Sequence, residues 1–191
     1  MTKPSAKIQG VILSGGASRR FGSDKAVTML DGRLLIEHVY HVLTSAAHST
    51  VISVQESGRT YPVDAEYVVD EWKDSGPLSG IASAFRATKA ESMFVVAADL
   101  PRVSRETLQR IAGDFQEPVT VARNADTNRI QPLCAIWHRG VLDELCRYID
   151  DGGRAVMGFL DKVGYHTVDV PPGSLVNINR PEDLHPSNRR E

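Results

Sequence analysis

The sequence is poor in cysteine, in aromatic residues, in net charge and in long apolar runs. Its two cysteines, Cys134 and Cys146, are too few for a disulfide framework, and their separation fits no zinc-ligand spacing. Both read as reduced thiols, as expected of a cytoplasmic protein. Aromatics make up 6% of the residues, so the core is expected to be mainly Val, Leu, Ile and Ala. The net charge is −2, which excludes a generally basic nucleic-acid-binding surface. The longest unbroken apolar run, Met93–Ala98, falls far short of the ~20 residues needed to span a bilayer. The opening residues Met1-Thr2-Lys3-Pro4-Ser5 hold no apolar stretch of signal-peptide length.

What is present suits a single domain. The chain has 191 residues, 41% of them hydrophobic, enough for one self-sufficient core over residues 1–191, with 1–7 and 185–191 frayed. Apolar runs read as strands at Ile8–Leu13, Thr50–Gln55, Glu66–Val69, Met93–Ala98, Val119–Ala122, Leu133–Trp137 and Tyr165–Val170. Amphipathic stretches between them read as helices at Arg33–Ala46, Leu78–Lys89, from an N-cap at Ser104 to Gly113, at Val141–Ile149, and after Pro181. The alternation predicts an α/β fold with a mostly parallel sheet.

The first strand runs straight into Leu13-Ser14-Gly15-Gly16-Ala17-Ser18-Arg19-Arg20-Phe21-Gly22-Ser23-Asp24-Lys25. Ligands of α/β sheets bind beyond the carboxyl ends of strands. Gly15 and Gly16 let backbone N–H groups approach an anion closely, and Arg19, Arg20 and Lys25 add positive charge. The combination suits a triphosphate. It is neither a Walker A loop, for which the glycines are wrongly spaced with no lysine after Gly22, nor a G-x-G-x-x-G dinucleotide loop. Asp99 closes the apolar run before Leu100-Pro101. A carboxylate at a strand's end is costly unless paired or metal-bound, and Mg²⁺ is commonly held by one or two carboxylates plus substrate phosphates. The alternative is an Asp that caps the next turn.

The loop resembles the signature of the MobA-like nucleotidyltransferases, L-x-G-G-x-S-x-R-[FM]-G-x-D-K, matched by Leu13, Gly15, Gly16, Ser18, Arg20, Phe21, Gly22, Asp24 and Lys25. Asp99-Leu100-Pro101 is similar to the family's D-x-P, and Asp70 with Gly76-Pro77-Leu78-Ser79-Gly80 to its D…G-P-L-x-G. Asn177-Ile178-Asn179-Arg180-Pro181-Glu182-Asp183-Leu184 is similar to its N-x-N-x-P-E-[DE]-L. The resemblance implies a Rossmann-like three-layer nucleotidyltransferase fold. It also implies nucleotide contacts from Leu13, Ser14, Gly15, Gly16, Lys25, Asp70 and Asp99, a Mg²⁺ on Asp99, and catalytic roles for Arg20, Lys25 and Asp99. Asn177 and Asn179 serve either as acceptor-side or metal-side ligands or as helix caps. Gln131, Arg123, Arg129 and Arg154 are candidates to meet an anionic acceptor.

Within that family, Gly15-Gly16 and Leu100 follow the guanylyl rather than the cytidylyl pattern. The resemblance therefore implies transfer of GMP from GTP to the phosphate of molybdopterin or Mo-molybdopterin, giving molybdopterin guanine dinucleotide and pyrophosphate. The product would go to molybdoenzyme apo-proteins or to cofactor-delivery proteins, with no nucleic-acid or membrane partner. One departure stands out. The family's guanylyl pattern has an Asn at the end of the second strand, where this chain has Ser53-Val54-Gln55. CTP, another phosphorylated acceptor, or a non-catalytic nucleotide- or cofactor-binding role are the alternatives. His38 and His41 share a helical face without further metal-type ligands and read as structural, and Cys134 reads as an inert core thiol.

Overall fold

Strands that are apolar on both faces need cover on both faces, and the chain supplies it in three layers. The computed structural model describes residues 8–15, 25–178 and 183. In chain order its elements are β1 (Gln9–Ser14), β2 (Met29–Leu30), β3 (Arg33–Leu34), α1 (Leu35–Ala46), β4 (Ser49–Val54), β5 (Glu66–Val69), α2 (Pro77–Thr88) and β6 (Ser92–Ala97). They continue with α3 (Arg105–Gly113), β7 (Val119–Asn124), β8 (Ile130–His138), α4 (Leu142–Asp150), α5 (Val156–Val163) and β9 (His166–Val170).

Seven strands form one sheet in the order β5-β4-β1-β6-β8-β7-β9. All neighbours are parallel except β8, which runs antiparallel to both β6 and β7. The carboxyl ends of β5, β4, β1, β6, β7 and β9 therefore share one edge with the start of β8. Alternation along each strand divides the core. Ile12, Ile52, Phe94, Val96, Cys134 and Ile136 pack with α1 and α3. Val11, Leu13, Val51, Met93, Val95, Ala135 and Trp137 pack with α2, α4 and α5 on the other face. The expected α/β fold with a mostly parallel sheet is what forms.

Local chemistry accounts for the element boundaries. Ser104 Oγ accepts from Thr107 N at 3.1 Å, the expected cap of α3. Glu37 accepts from Leu34 N at 2.7 Å at the start of α1. That helix begins two residues later than expected, because Arg33–Leu34 pairs with Met29–Leu30 around an Asp31-Gly32 turn. The periodicity gave no sign of α5, where Gly158 interrupts the apolar pattern. Tertiary packing decides it: Phe159 stacks on Trp137 with ring centroids 5.9 Å apart and planes within 7°. Four of the few aromatics, Trp137, Phe85, Phe94 and Phe159, are among the largest fully buried side chains. Among the described residues no helix is long and apolar enough to cross a membrane. The helix expected after Pro181, and residues 1–7 and 185–191, lie outside the described residues.

Helix α2 lies unusually close to the sheet. A Cβ on Gly80 would press against Ser53 Oγ and come within 2.9 Å of Leu13 Cδ2. Gly80→Ala gains up to about 1 kcal/mol of helix propensity but overpacks a full interface, at a cost of about 1–3 kcal/mol. A net loss of stability in urea unfolding is the expected outcome; a variant as stable as the parent would show that α2 has room to move.

Candidate active site

The shared edge gathers residues from distant parts of the chain. β1 and β6 are hydrogen-bonded neighbours, and Ala98 N donates to Leu13 O at 3.1 Å just beyond them. The first loop and Asp99 therefore start side by side. Leu13 and Ser14 close β1 as buried residues, the Ser14 hydroxyl bonded to that of Tyr61, and Gly15 is exposed at the rim. A Cβ on Gly15 would lie 3.1 Å from Gln55 Cγ, so Gln55 flanks the mouth of the loop.

Where the chain re-enters the described residues, Lys25 places Nζ 2.7 Å from Asp99 Oδ2, with 17% and 23% of the two side chains exposed. Asn177 Nδ2 reaches the same carboxylate oxygen at 3.4 Å, and Gln131 Nε2 donates to Asn177 Oδ1 at 2.6 Å. Ile178 N donates to Asp99 O at 3.0 Å, which ties the segment after β9 to the end of β6. Asp99 Oδ1 is shielded from solvent yet has no hydrogen-bond partner among the described residues. Such an atom is costly unless something else satisfies it. Although no cluster of three His, Cys, Asp or Glu side chains occurs among the described residues, a divalent cation fits this donor, since Mg²⁺ is commonly held by one or two carboxylates together with substrate phosphates and water.

On the other side of β1 from Asp99, Asp70 follows β5, its N–H donating to Val54 O at 2.9 Å. Ser53 Oγ donates to Asp70 Oδ1 at 2.5 Å. Two buried serines of α2 secure the next residues: Ser83 Oγ accepts from Glu71 N at 2.9 Å and Ser79 Oγ from Trp72 N at 3.0 Å. Gly76 opens α2 at φ 61°, ψ −151°, a conformation essentially restricted to glycine. Sequence reasoning did not anticipate these serines; their i, i+4 spacing on an otherwise apolar helix was the available signal.

The structure thus brings together Leu13, Ser14, Gly15, Lys25, Asp99 and Asn177, with Asp70 and Ser53 at the ends of neighbouring strands. Gly16, Arg20 and Asn179 lie outside the described residues. Gln131 joins the site through Asn177. Arg123 is instead paired with Asp169 at 2.6 Å, and the Arg154 guanidinium donates to Ile149 O and Gly153 O at 2.8 and 2.7 Å. A shallow cavity of about 580 Å³ bounded by Arg110, Asp114, Arg123 and Asp169 contains none of the residues gathered around Asp99. His38 bonds Leu30 O at 2.9 Å, a structural role. Burial pushes the Cys134 thiol up to about 12, which keeps it inert.

A family model described as the MobA-like NTP transferase domain matches residues 10–163. A probable molybdenum cofactor guanylyltransferase of Aquifex aeolicus is 31% identical over 176 residues, which is 91% of this chain and 86% of that protein. A molybdenum cofactor guanylyltransferase of Photobacterium profundum is 32% identical over 186 residues, 95% of this chain and 96% of its own length. The crystal structure of molybdopterin-guanine dinucleotide biosynthesis protein A from Archaeoglobus fulgidus superposes with a TM-score of 0.76 at 28% identity, covering 93% of this chain and 95% of that one.

Burial gives Asp70 a pH signature. Desolvation raises its pKa, and the Ser53 hydrogen bond only partly opposes the rise. With the folded pKa above the unfolded one, the unfolded chain releases this proton first as pH climbs. Ionised Asp70 therefore detracts from stability at neutral pH, and the penalty fades as pH falls below the ordinary carboxylate value. Asp70→Asn, which can still accept from Ser53, is expected to melt above the parent at pH 7, with the difference narrowing as the medium is acidified. Equal melting temperatures at pH 7 would show that the ionised carboxylate is well solvated.

Proposed function

Because the chain belongs to the MobA-like NTP transferase family, and is a nucleotidyltransferase, we propose that it transfers GMP from GTP to the phosphate of molybdopterin, releasing pyrophosphate and giving molybdopterin guanine dinucleotide. The observation that carries the reading is the match to molybdenum cofactor guanylyltransferases along nearly the whole of both chains. The guanylyl pattern at Gly15-Gly16 and Leu100 supports GTP. In the Ser53-Val54-Gln55 stretch that departs from the guanylyl pattern's Asn, Ser53 contacts Asp70 and Gln55 flanks Gly15. We assign the nucleoside to Asp70, whose carboxylate would accept from the N–H or O–H donors of guanosine.

In the proposed reaction an oxygen of the acceptor phosphate attacks the α-phosphorus in line. The new P–O bond forms as the α–β bridging P–O bond breaks, and the electron pair leaves with pyrophosphate. The acceptor is already an anion at neutral pH, so no strong general base is required. The obstacles are repulsion between anions and charge on the leaving group, and positioned cations address both. Lys25 has three donors, so it can keep Asp99 and still meet a phosphate oxygen. Arg20 and the backbone N–H groups at Gly15 and Gly16 are assigned to the triphosphate by the loop signature. Asp99 would hold Mg²⁺ through Oδ1, the ion supplying charge neutralisation of triphosphate and leaving group when bound. Asn179 is assigned with Asn177 to the acceptor or metal side.

Pyrophosphate release tests the reading. The purified chain with molybdopterin is expected to turn over GTP only with Mg²⁺, and CTP poorly. Preference for CTP, or no release with any acceptor, would overturn it. Lys25→Ala and Asp99→Ala are expected to lower kcat by about 10²–10³ while retaining the circular dichroism of the parent. A folded variant with undiminished kcat would remove that residue from the catalytic set.

A further inference from the structure

Three amide and carboxylate groups stand in line at the edge of the site, and their orientations are not independent. At one end Leu133 N, a backbone group that can only donate, lies 3.3 Å from Gln131 Oε1. That fixes the Gln131 oxygen toward the backbone and turns its NH₂ group outward. The NH₂ group meets Asn177 Oδ1 at 2.6 Å, which turns the Asn177 NH₂ group in turn onto Asp99 Oδ2 at 3.4 Å. At the other end stands an ionised carboxylate, which can only accept. A donor-only group and an acceptor-only group thus demand the same orientation of both amides between them.

We propose that Gln131 is a positioning residue for the nucleotidyl-transfer site: through Asn177 it commits Asp99 Oδ2 to hydrogen-bond donors and leaves Oδ1 as the oxygen open to a divalent cation. The proposal rests on the reading of Asp99 as the metal-holding carboxylate. Asp99 Oδ2 receives both Lys25 and Asn177, whereas Oδ1 receives nothing among the described residues. Without an anchor of fixed polarity, the Asn177 amide could turn over and set its oxygen against Oδ2. The carboxylate would then rotate, and Oδ1 would no longer be held in one place. Groups that orient a ligand in this way typically affect metal affinity by about 10–100-fold.

A coupled pair of substitutions isolates the relay. Electron paramagnetic resonance reports the Mn²⁺ dissociation constant of the protein with GTP bound, and GTP affinity is measured separately in EDTA. Gln131→Met is expected to weaken Mn²⁺ about tenfold, to leave GTP affinity in EDTA unchanged, and to have no further effect in an Asn177→Ala background. Unchanged Mn²⁺ affinity, or an effect that persists undiminished in that background, would overturn the relay, as would a loss of GTP affinity in EDTA. Parent protein that binds no Mn²⁺ with GTP would instead overturn the guanylyltransferase reading. In that event the ligand-free protein still decides the relay: Gln131→Met is expected to shift the Asn177 side-chain amide resonances in ¹⁵N spectra, and unmoved resonances would sink it.

Discussion

The parallel pairing of β1 with β6 is the constraint on which the site depends. Gln9 to Leu13 run in register with Met93 to Ala97, and the pairing is extended by the Ala98–Leu13 hydrogen bond. Two strands separated by more than eighty positions of chain therefore finish at the same height. One opens into the glycine-rich loop and the other into Asp99. Both strands are buried along their whole length, so a slip of one residue would turn core side chains of one face onto the other. The register that keeps the core intact is also what sets the start of the glycine-rich loop beside the end of β6 and Asp99.

The partly buried Lys25–Asp99 pair carries a tension that suits its role. A desolvated ion pair is a weak source of stability, but removing either partner strands the other charge. Lys25 and Asp99 thus each hold the other's charge in place beyond the ends of β1 and β6. The remaining groups refine the geometry without adding net charge: Asn177 and Gln131 on one side, and Ser53 on the other, where it steadies an acid that burial disfavours. Neutral amides and hydroxyls orient charged groups without the repulsion that further ions would bring.

Much of this could be read in the residues. Apolar runs gave the strands because a parallel sheet covered on both faces needs them, and the strand ending at Leu13 and Ser14 was legible from its buried apolar run. Asp99 stood out as a carboxylate at the end of an apolar run. What stayed hidden depended on tertiary contact. Helix α5 is held by the Phe159–Trp137 stack, which no local pattern announces. Ser53-Val54-Gln55 departs from the expected asparagine, and the 2.5 Å hydrogen bond from Ser53 to Asp70 depends on the pairing of β4 with β5, which the sequence does not show. Gln131 showed only as a candidate for an anionic acceptor, because its bond to Asn177 lies 46 positions along the chain. Arg123 and Arg154 suggested acceptor contacts by charge alone, a property that does not reveal which local partner takes up a guanidinium.

The reversal of β8 divides the molecule's labour. On one side β5, β4, β1 and β6 deliver the start of the loop, Asp70 and Asp99, with β1, β4 and β6 covered by helices on both faces. On the other, β8 comes back through a short hairpin, residues 125–129, whose bend is held by Asn124 Oδ1 accepting from Asp126 N and Thr127 N at 2.9 and 3.0 Å. This loop hangs beside the start of β8, near Gln131 but outside the packed layers. Surface hairpins change length and composition far more readily than buried parallel strands. The residues gathered beyond β4, β1 and β6 are therefore welded into the core, while the neighbourhood of Gln131 ends in a surface hairpin that can change without reopening them.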